Sequence, residues 1–202
     1  MHACGHDGHT SCLVGAVKVL SEIRDELEGP VKFIFQPAEE GGGGGKRMCE
    51  EDALEHPKVD AIFGFHGWPA LPQGEIGIHP GAFLASSDTF DITIDGTGGH
   101  AAFPHLGVDP IVVAAHAITA IQSIVSRNTD PLNSAVVTVA EIKAGTTYNI
   151  IPQTATLKGT IPALDEEVRQ TTHARLKTIV EKSAEAFGAK AEVTTRFGYP
   201  IT

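Results

Sequence analysis

The sequence predicts an α/β fold in two parts. An α/β segment occupies residues 1–83 and a β-α-β-β-α-β unit occupies residues 84–198. Three observations predict this. Residues 31–35 and 59–65 are short, nearly continuous apolar runs, as in strands buried on both faces of a parallel sheet. Beyond residue 84 the runs alternate apolar with polar, as in half-buried strands. Two long apolar-periodic stretches interrupt those strands, which gives the element order of a ferredoxin-like unit.

Taken in order, residues 11–28 predict a helix, because Leu13, Val14, Val17, Leu20, Ile23 and Leu27 recur at helical spacing. Thr10 or Ser11 supplies its N-cap, and Glu28-Gly29-Pro30 stops it. The run at 31–35 leads to Glu39 and Glu40, and the run at 59–65 leads to His66. Ligands collect beyond the carboxyl ends of strands in open α/β sheets, so these three residues fall where chemistry is expected. Residues 41–45 are five consecutive glycines, which predict a flexible loop or a backbone passing close to a metal or substrate. They do not form a phosphate loop, because Lys46 is followed by Arg47 where Ser or Thr is needed. In the second part, Phe90, Ile92 and Ile94 alternate with polar residues across 89–95. Residues 109–126 predict a helix with Pro110 at its first position. Residues 135–142 and 155–161 predict strands, 165–187 a second helix and 191–197 a last strand.

Composition narrows the function classes. At 42% hydrophobic residues over 202 positions, the chain has material for a core. A net charge of -10 argues against nucleic acid and anionic membrane as partners, since both want a basic face. No apolar run approaches the ~18 residues of a membrane span, and no secretory pattern opens the chain. Cys4, Cys12 and Cys49 are a sparse, odd set that makes a poor disulfide framework and predicts a cytoplasmic location. They also lack the paired Cys-x-x-Cys spacing of a structural zinc site.

The chemistry concentrates in Met1-His2-Ala3-Cys4-Gly5-His6-Asp7-Gly8-His9-Thr10. In an extended loop, Cys4 and His6 place their side chains on one side. Gly5 and Gly8 free the backbone to fold around an ion, while Asp7 and His9 offer hydrogen bonds to its ligands. Glu39 and Glu40 are adjacent, so off a strand end they point to different sides. One is placed to bind a metal and the other to act as general base. Each feature has an ordinary reading by itself: a buried thiol, a solvated charge pair, a core histidine. Together, sulfur, imidazole and carboxylate suit a divalent transition metal that activates water, as in a metal-dependent hydrolase.

Five segments in this order carry a resemblance: the opening decapeptide, Gln36-Pro37-Ala38-Glu39-Glu40-Gly41, Phe63-Gly64-Phe65-His66, Thr97-Gly98-Gly99-His100-Ala101 and Tyr148-Asn149-Ile150-Ile151-Pro152. From residue 1 to about residue 200 the chain resembles the M20 metallopeptidase family. The match is to its amidohydrolase branch, which holds hippurate hydrolase, N-acyl-amino-acid amidohydrolases, N-acetyldiaminopimelate deacetylase and the auxin-conjugate hydrolases. The resemblance implies a catalytic domain holding two divalent metal ions (Mn, Zn, Co or Ni) and a smaller ferredoxin-like lid or dimerisation domain. It assigns Cys4 as the bridging ligand, and His6, Glu40 and His66 as terminal ligands. Glu39 becomes the general base, His100 the oxyanion donor reaching a partner subunit's site, and Asn149 a holder of the substrate's carboxylate or carbonyl. The implied substrate is a small N-acyl amino acid, hippurate-like or N-acetylated, and the implied assembly is a homodimer through the lid.

The resemblance also implies a fragment, in which residues 199–202 begin the return to the catalytic domain. Family members run to nearly twice this length, so part of the catalytic sheet and at least one ligand histidine are expected outside the chain. Pro162 stands where the family usually has arginine, and proline cannot make a bidentate bond to a carboxylate. The competing expectation is a truncated, catalytically silent chain whose lid serves as a dimerisation module.

Overall fold

The computed structural model describes residues 4–202; Met1, His2 and Ala3, which open the histidine-rich segment, lie outside the described residues. The chain divides into two compact units, Met1–Ile78 and His79–Thr202.

Among its described residues the first unit carries two α-helices, α1 (His6–Glu22) and α2 (Gly44–Glu50). α1 begins ahead of the expected Thr10 or Ser11 cap. Gly5 adopts a left-handed φ of 76° and turns the chain directly into the helix, with no side-chain cap. Ser11 is not a cap at all: its hydroxyl donates to the Asp7 carbonyl, 2.7 Å away, inside the helix. His6 therefore sits on a helix, and the extended loop expected for Cys4 and His6 is absent.

The two parallel strands expected in this unit do not form among the described residues. Residues 31–35 and 59–65 carry no ladder, and Phe63 is 94% exposed. An apolar run becomes a buried strand only when strands flank it and layers cover both faces. The described residues of this unit supply neither. The glycine run splits between a turn and a helix start. Gly44 is buried, and a Cβ there would lie 1.7 Å from the Pro37 carbonyl oxygen. Close backbone approach, not flexibility, requires glycine at that position.

In chain order the second unit holds β1 (Asp88–Asp95), β2 (Gly99–His100), α3 (Pro110–Ser123), β3 (Thr138–Ala144), β4 (Ile150–Ile151), β5 (Thr154–Ile161), α4 (Glu166–Ala186) and β6 (Lys190–Arg196). The long strands form an antiparallel sheet in the order β3-β5-β1-β6, and β2 pairs with β4 in a separate ribbon. Ile92 stands opposite both Leu157 and Val193, which fixes the register of the central strands. The alternation read from the sequence is the burial pattern: Phe90, Ile92 and Ile94 are buried. They join Leu157, Ile161, Val113, Ile121, Leu176 and Val180 in one core. Both helices start on aspartate caps. Asp109 accepts from the Ile111 amide and Asp165 from the Val168 amide, each at 2.9 Å.

α3 runs on through a π-turn over Ile124–Asn128. By length and composition, Pro110–Asn128 is apolar enough to cross a membrane, which the sequence reading did not anticipate. Interspersed His, Thr, Gln and Ser hide that length from a search for unbroken apolar runs. Here its Val113, Ala114, Ala117 and Ile121 are buried, as in the core helix of a globular unit.

Asp88, the first residue of β1, is fully buried. It accepts hydrogen bonds from Arg169 Nε (2.7 Å) and Nη2 (2.6 Å), and from the Gly198 amide (2.9 Å). His173 Nε2 lies 2.7 Å from its other oxygen lobe. Phe197 stacks on His173 at 4.3 Å and lies under Arg169 at 4.9 Å. Burial works to raise the Asp88 pKa, but the Arg169, His173 and Gly198 hydrogen bonds prevail and hold it below the usual carboxylate range. The two ends of the unit are paired with each other: Leu84 and Thr202 exchange backbone hydrogen bonds of 2.9 and 3.0 Å.

Candidate metal centre

Three separated stretches of the first unit supply one cluster. Cys4 precedes α1 and His6 opens it. Glu39 and Glu40 follow Ala38, whose φ of 51° turns the chain back toward α1. His66 follows the apolar 59–65 run. Cys4 Sγ lies 3.4 Å from His66 Nε2. His6 Nε2 lies 3.4 Å from Glu39 Oε2 and 3.5 Å from Glu40 Oε1. Cys4, His6 and His66 form one set whose ligand atoms all lie within 4.8 Å, and His6, Glu39 and Glu40 form another. His6 belongs to both, so the sets are contiguous.

The ring orientations favour ligation. His66 Nδ1 is 2.8 Å from the Gly67 carbonyl oxygen. A carbonyl only accepts, so Nδ1 carries the proton and Nε2 turns its lone pair toward Cys4. His9 accepts from the Gly67 amide through Nε2 at 2.9 Å, and its ring lies 4.4 Å from that of His66. Desolvation, then the neighbouring His66 and His6, lower the His9 pKa. His9 thus braces Gly67, the residue after His66, where the sequence reading expected a hydrogen bond to a ligand itself.

Electrostatically the cluster wants a cation. Desolvation first, then Glu40 and Glu39, raise the Cys4 pKa and disfavour the thiolate. A divalent ion reverses that, because it offsets the carboxylates and deprotonates a coordinating thiol. The donor set of thiolate, two imidazoles and carboxylates fits a borderline transition metal.

The other predicted site residues lie in the second unit and come together there. His100 on β2 is opposite Ile150 on β4, and the Ala101 amide donates to the Asn149 carbonyl at 3.0 Å. His100 Nδ1 accepts from the Ala102 amide at 3.1 Å, so the ring proton sits on Nε2, which serves as a donor. Thr147 Oγ1 donates to Asn149 Oδ1 at 3.0 Å, which leaves the Asn149 Nδ2 hydrogens for another acceptor. Both side chains are solvent-accessible. The sequence reading paired neither His100 with Asn149 nor either with Gln153. Residues so far apart in sequence are joined only by the ribbon's register, and no local spacing reports that. Cys12 and Cys49 are free thiols apart from these clusters.

Comparison with known proteins shows the family. The sequence matches the model for peptidase family M20/M25/M40 over residues 1–200. N-acetyl-L-cysteine deacetylase of Bacillus subtilis (strain 168) is 44% identical over 200 residues, covering 99% of this chain and 48% of that protein. Hippurate hydrolase of Campylobacter jejuni is 42% identical over 202 residues, covering 100% of this chain and 52% of that protein. A Bacillus subtilis protein whose crystal structure is described as a dinuclear metal-binding peptidase of the M20 family aligns with a TM-score of 0.80 at 37% identity. That alignment covers 100% of this chain and 50% of that one. The chain spans about half the length of the curated relatives it matches. With the family match running over residues 1–200, the chain belongs to peptidase family M20/M25/M40.

Proposed function

We propose that this chain is part of a metal-dependent amidohydrolase that cleaves the amide bond of N-acyl amino acids, with hippurate-like or N-acetyl substrates. The observation that carries the reading is the convergence of Cys4, His6, Glu39, Glu40 and His66 from three stretches onto contiguous ligand sets. The relatives named for deacetylating N-acetylcysteine and for hydrolysing hippurate support the substrate class.

In this reading Cys4, His6, Glu40 and His66 would hold two divalent ions (Mn, Zn, Co or Ni). When bound, such ions polarise the scissile carbonyl and acidify water. Glu39 Oε2 takes a proton from water and returns it to the leaving amine nitrogen. His100 donates from Nε2–H to the carbonyl oxygen as it gains charge, a contact whose loss typically costs roughly 3–4 kcal/mol. Asn149 donates from Nδ2 to the substrate's carboxylate or carbonyl. The second unit acts as a ferredoxin-like lid through which a homodimer forms, and the cytoplasm keeps Cys4 reduced.

A second reading is favoured by the exposed 59–65 run, where Ile62 is 67% and Phe63 94% exposed. It holds the chain to be catalytically silent, with the lid as a dimerisation module. One experiment separates the two: metal content of the purified chain after adding Mn²⁺ or Zn²⁺, beside a Cys4→Ser control, with hydrolysis of hippurate and N-acetylcysteine followed in parallel. About two ions per chain, lost in the control, with amide cleavage, is the expected result for a dinuclear site. Metal near zero and no cleavage overturns the enzyme reading.

A further inference from the structure

The β2–β4 ribbon is held by a side chain that no role has yet claimed. Gln153 directly precedes β5, and its carboxamide makes two hydrogen bonds of opposite sense to one loop. Its Oε1 accepts from the Gly98 amide at 3.2 Å, and its Nε2 donates to the Gly96 carbonyl at 2.6 Å. The Gly96 amide donates in turn to the Gln153 carbonyl at 2.9 Å. Since an amide oxygen only accepts and an amide nitrogen only donates, this pairing fixes the orientation of the carboxamide.

The loop so clasped runs directly into His100. On one side Thr97 forms a bridge with Val108. There is no slack on either side: a Cβ on Gly96 would lie 2.2 Å from the Val108 oxygen, and one on Gly98 would lie 2.9 Å from the Ile151 oxygen. From that fixed point the chain continues through Gly99 and His100, which pair with Ile151 and Ile150. The Ala101 amide then closes the ribbon on the Asn149 carbonyl. The Ala102 amide donates to His100 Nδ1, which sets the tautomer that presents Nε2–H. Gln153 therefore ties down the near end of the segment on which both His100 and Asn149 depend.

We infer that Gln153 is a positioning residue for the substrate-facing pair His100 and Asn149. It holds the Gly96–Gly98 turn so that the His100 ring keeps its Nε2–H tautomer and its reach beside the Asn149 amide. The inference rests on the reading of His100 as the donor to the reacting carbonyl oxygen. It concerns distance and tautomer, so its signature lies in turnover, with substrate affinity left alone.

The test uses Gln153→Leu, which keeps the side chain's bulk and removes both bonds, and Gln153→Glu, which keeps the acceptor for Gly98 and loses the donor to Gly96. In the metal-loaded chain with hippurate as probe, Gln153→Leu is expected to lower kcat by about 10-fold with KM within about two-fold, in line with the cost of small misplacements of reacting groups. Gln153→Glu should fall between it and the unsubstituted chain. In a His100→Ala background the Gln153→Leu change should cost nothing further. Equal loss in both backgrounds, or unchanged kcat, overturns the inference. A second readout does not need turnover: the imidazole ¹⁵N shifts of His100. They should report the Nε2–H tautomer in the unsubstituted chain and a mixture of tautomers in Gln153→Leu. If the unsubstituted chain cleaves no N-acyl amino acid, the amidohydrolase reading fails and the tautomer readout alone decides. A shift to mixed tautomers then upholds the positioning role, and an unchanged tautomer overturns it.

Discussion

At the scale of the residue, the proposed function divides two adjacent glutamates between a ligand and a base, and geometry at His6 does not yet tell them apart. Glu39 and Glu40 both reach the same His6 nitrogen, at 3.4 and 3.5 Å. Removing the charge of Glu39 should leave Cys4, His6, Glu40 and His66 to bind metal. Glu39→Gln is therefore expected to retain its metal content and lose at least ~10²-fold in hydrolysis rate, the scale of a lost general base. Metal analysis beside steady-state kinetics checks this, and unchanged turnover would remove Glu39 from that role. The donor cluster was legible because thiol, imidazole and paired carboxylates are rare in combination, and because they fall beside glycine. Gln153 and Asp88 were not legible. A glutamine after a proline and an aspartate ahead of an alternating strand look like ordinary surface residues until the register brings partners from far along the chain.

At the scale of the element, the second unit was readable strand by strand because each strand has one wet face, which writes a period of two into the sequence. The first unit was misread because a run such as 59–65 has no period. It states that it is apolar, and only neighbouring strands make it a strand. The Asp88 node shows what joins elements beyond the core. One carboxylate binds β1 to α4 through Arg169 and His173, and to the chain leaving β6 through Gly198. Asp88→Ala leaves the Arg169 charge buried without its main partner and is expected to destabilise this unit by about 3–5 kcal/mol. Chemical denaturation followed by circular dichroism measures it. The same node sets an acid limit. Because the folded Asp88 pKa is depressed, its contribution is complete above the ordinary carboxylate value of about 3.9. It is lost as pH falls from there through the folded value. Denaturation midpoints should therefore drop below about pH 4, and the Asp88→Ala chain should show a shallower fall over the same range.

At the scale of the whole molecule, the candidate chemistry is divided between units. The metal-ligand sets belong to the first and the His100–Asn149 ribbon to the second. The proposed homodimer turns this division into a complementation experiment. His100→Ala and Glu39→Gln chains should each be nearly inactive, and mixing them should restore part of the activity if the histidine of one chain serves the metal centre of the other. Failure of freshly refolded mixtures to recover would place His100 and Glu39 in service of one chain.

The pairing of Leu84 with Thr202 has a topological consequence. The two ends of the second unit meet at one doorway, and Asp88 latches that doorway through Gly198. A cassette with adjoining ends can be lifted out, closed into a ring by a short bridge, or reopened at a distant surface turn, all without rerouting its sheet. Asn133, in the turn ahead of β3, is one such place to cut.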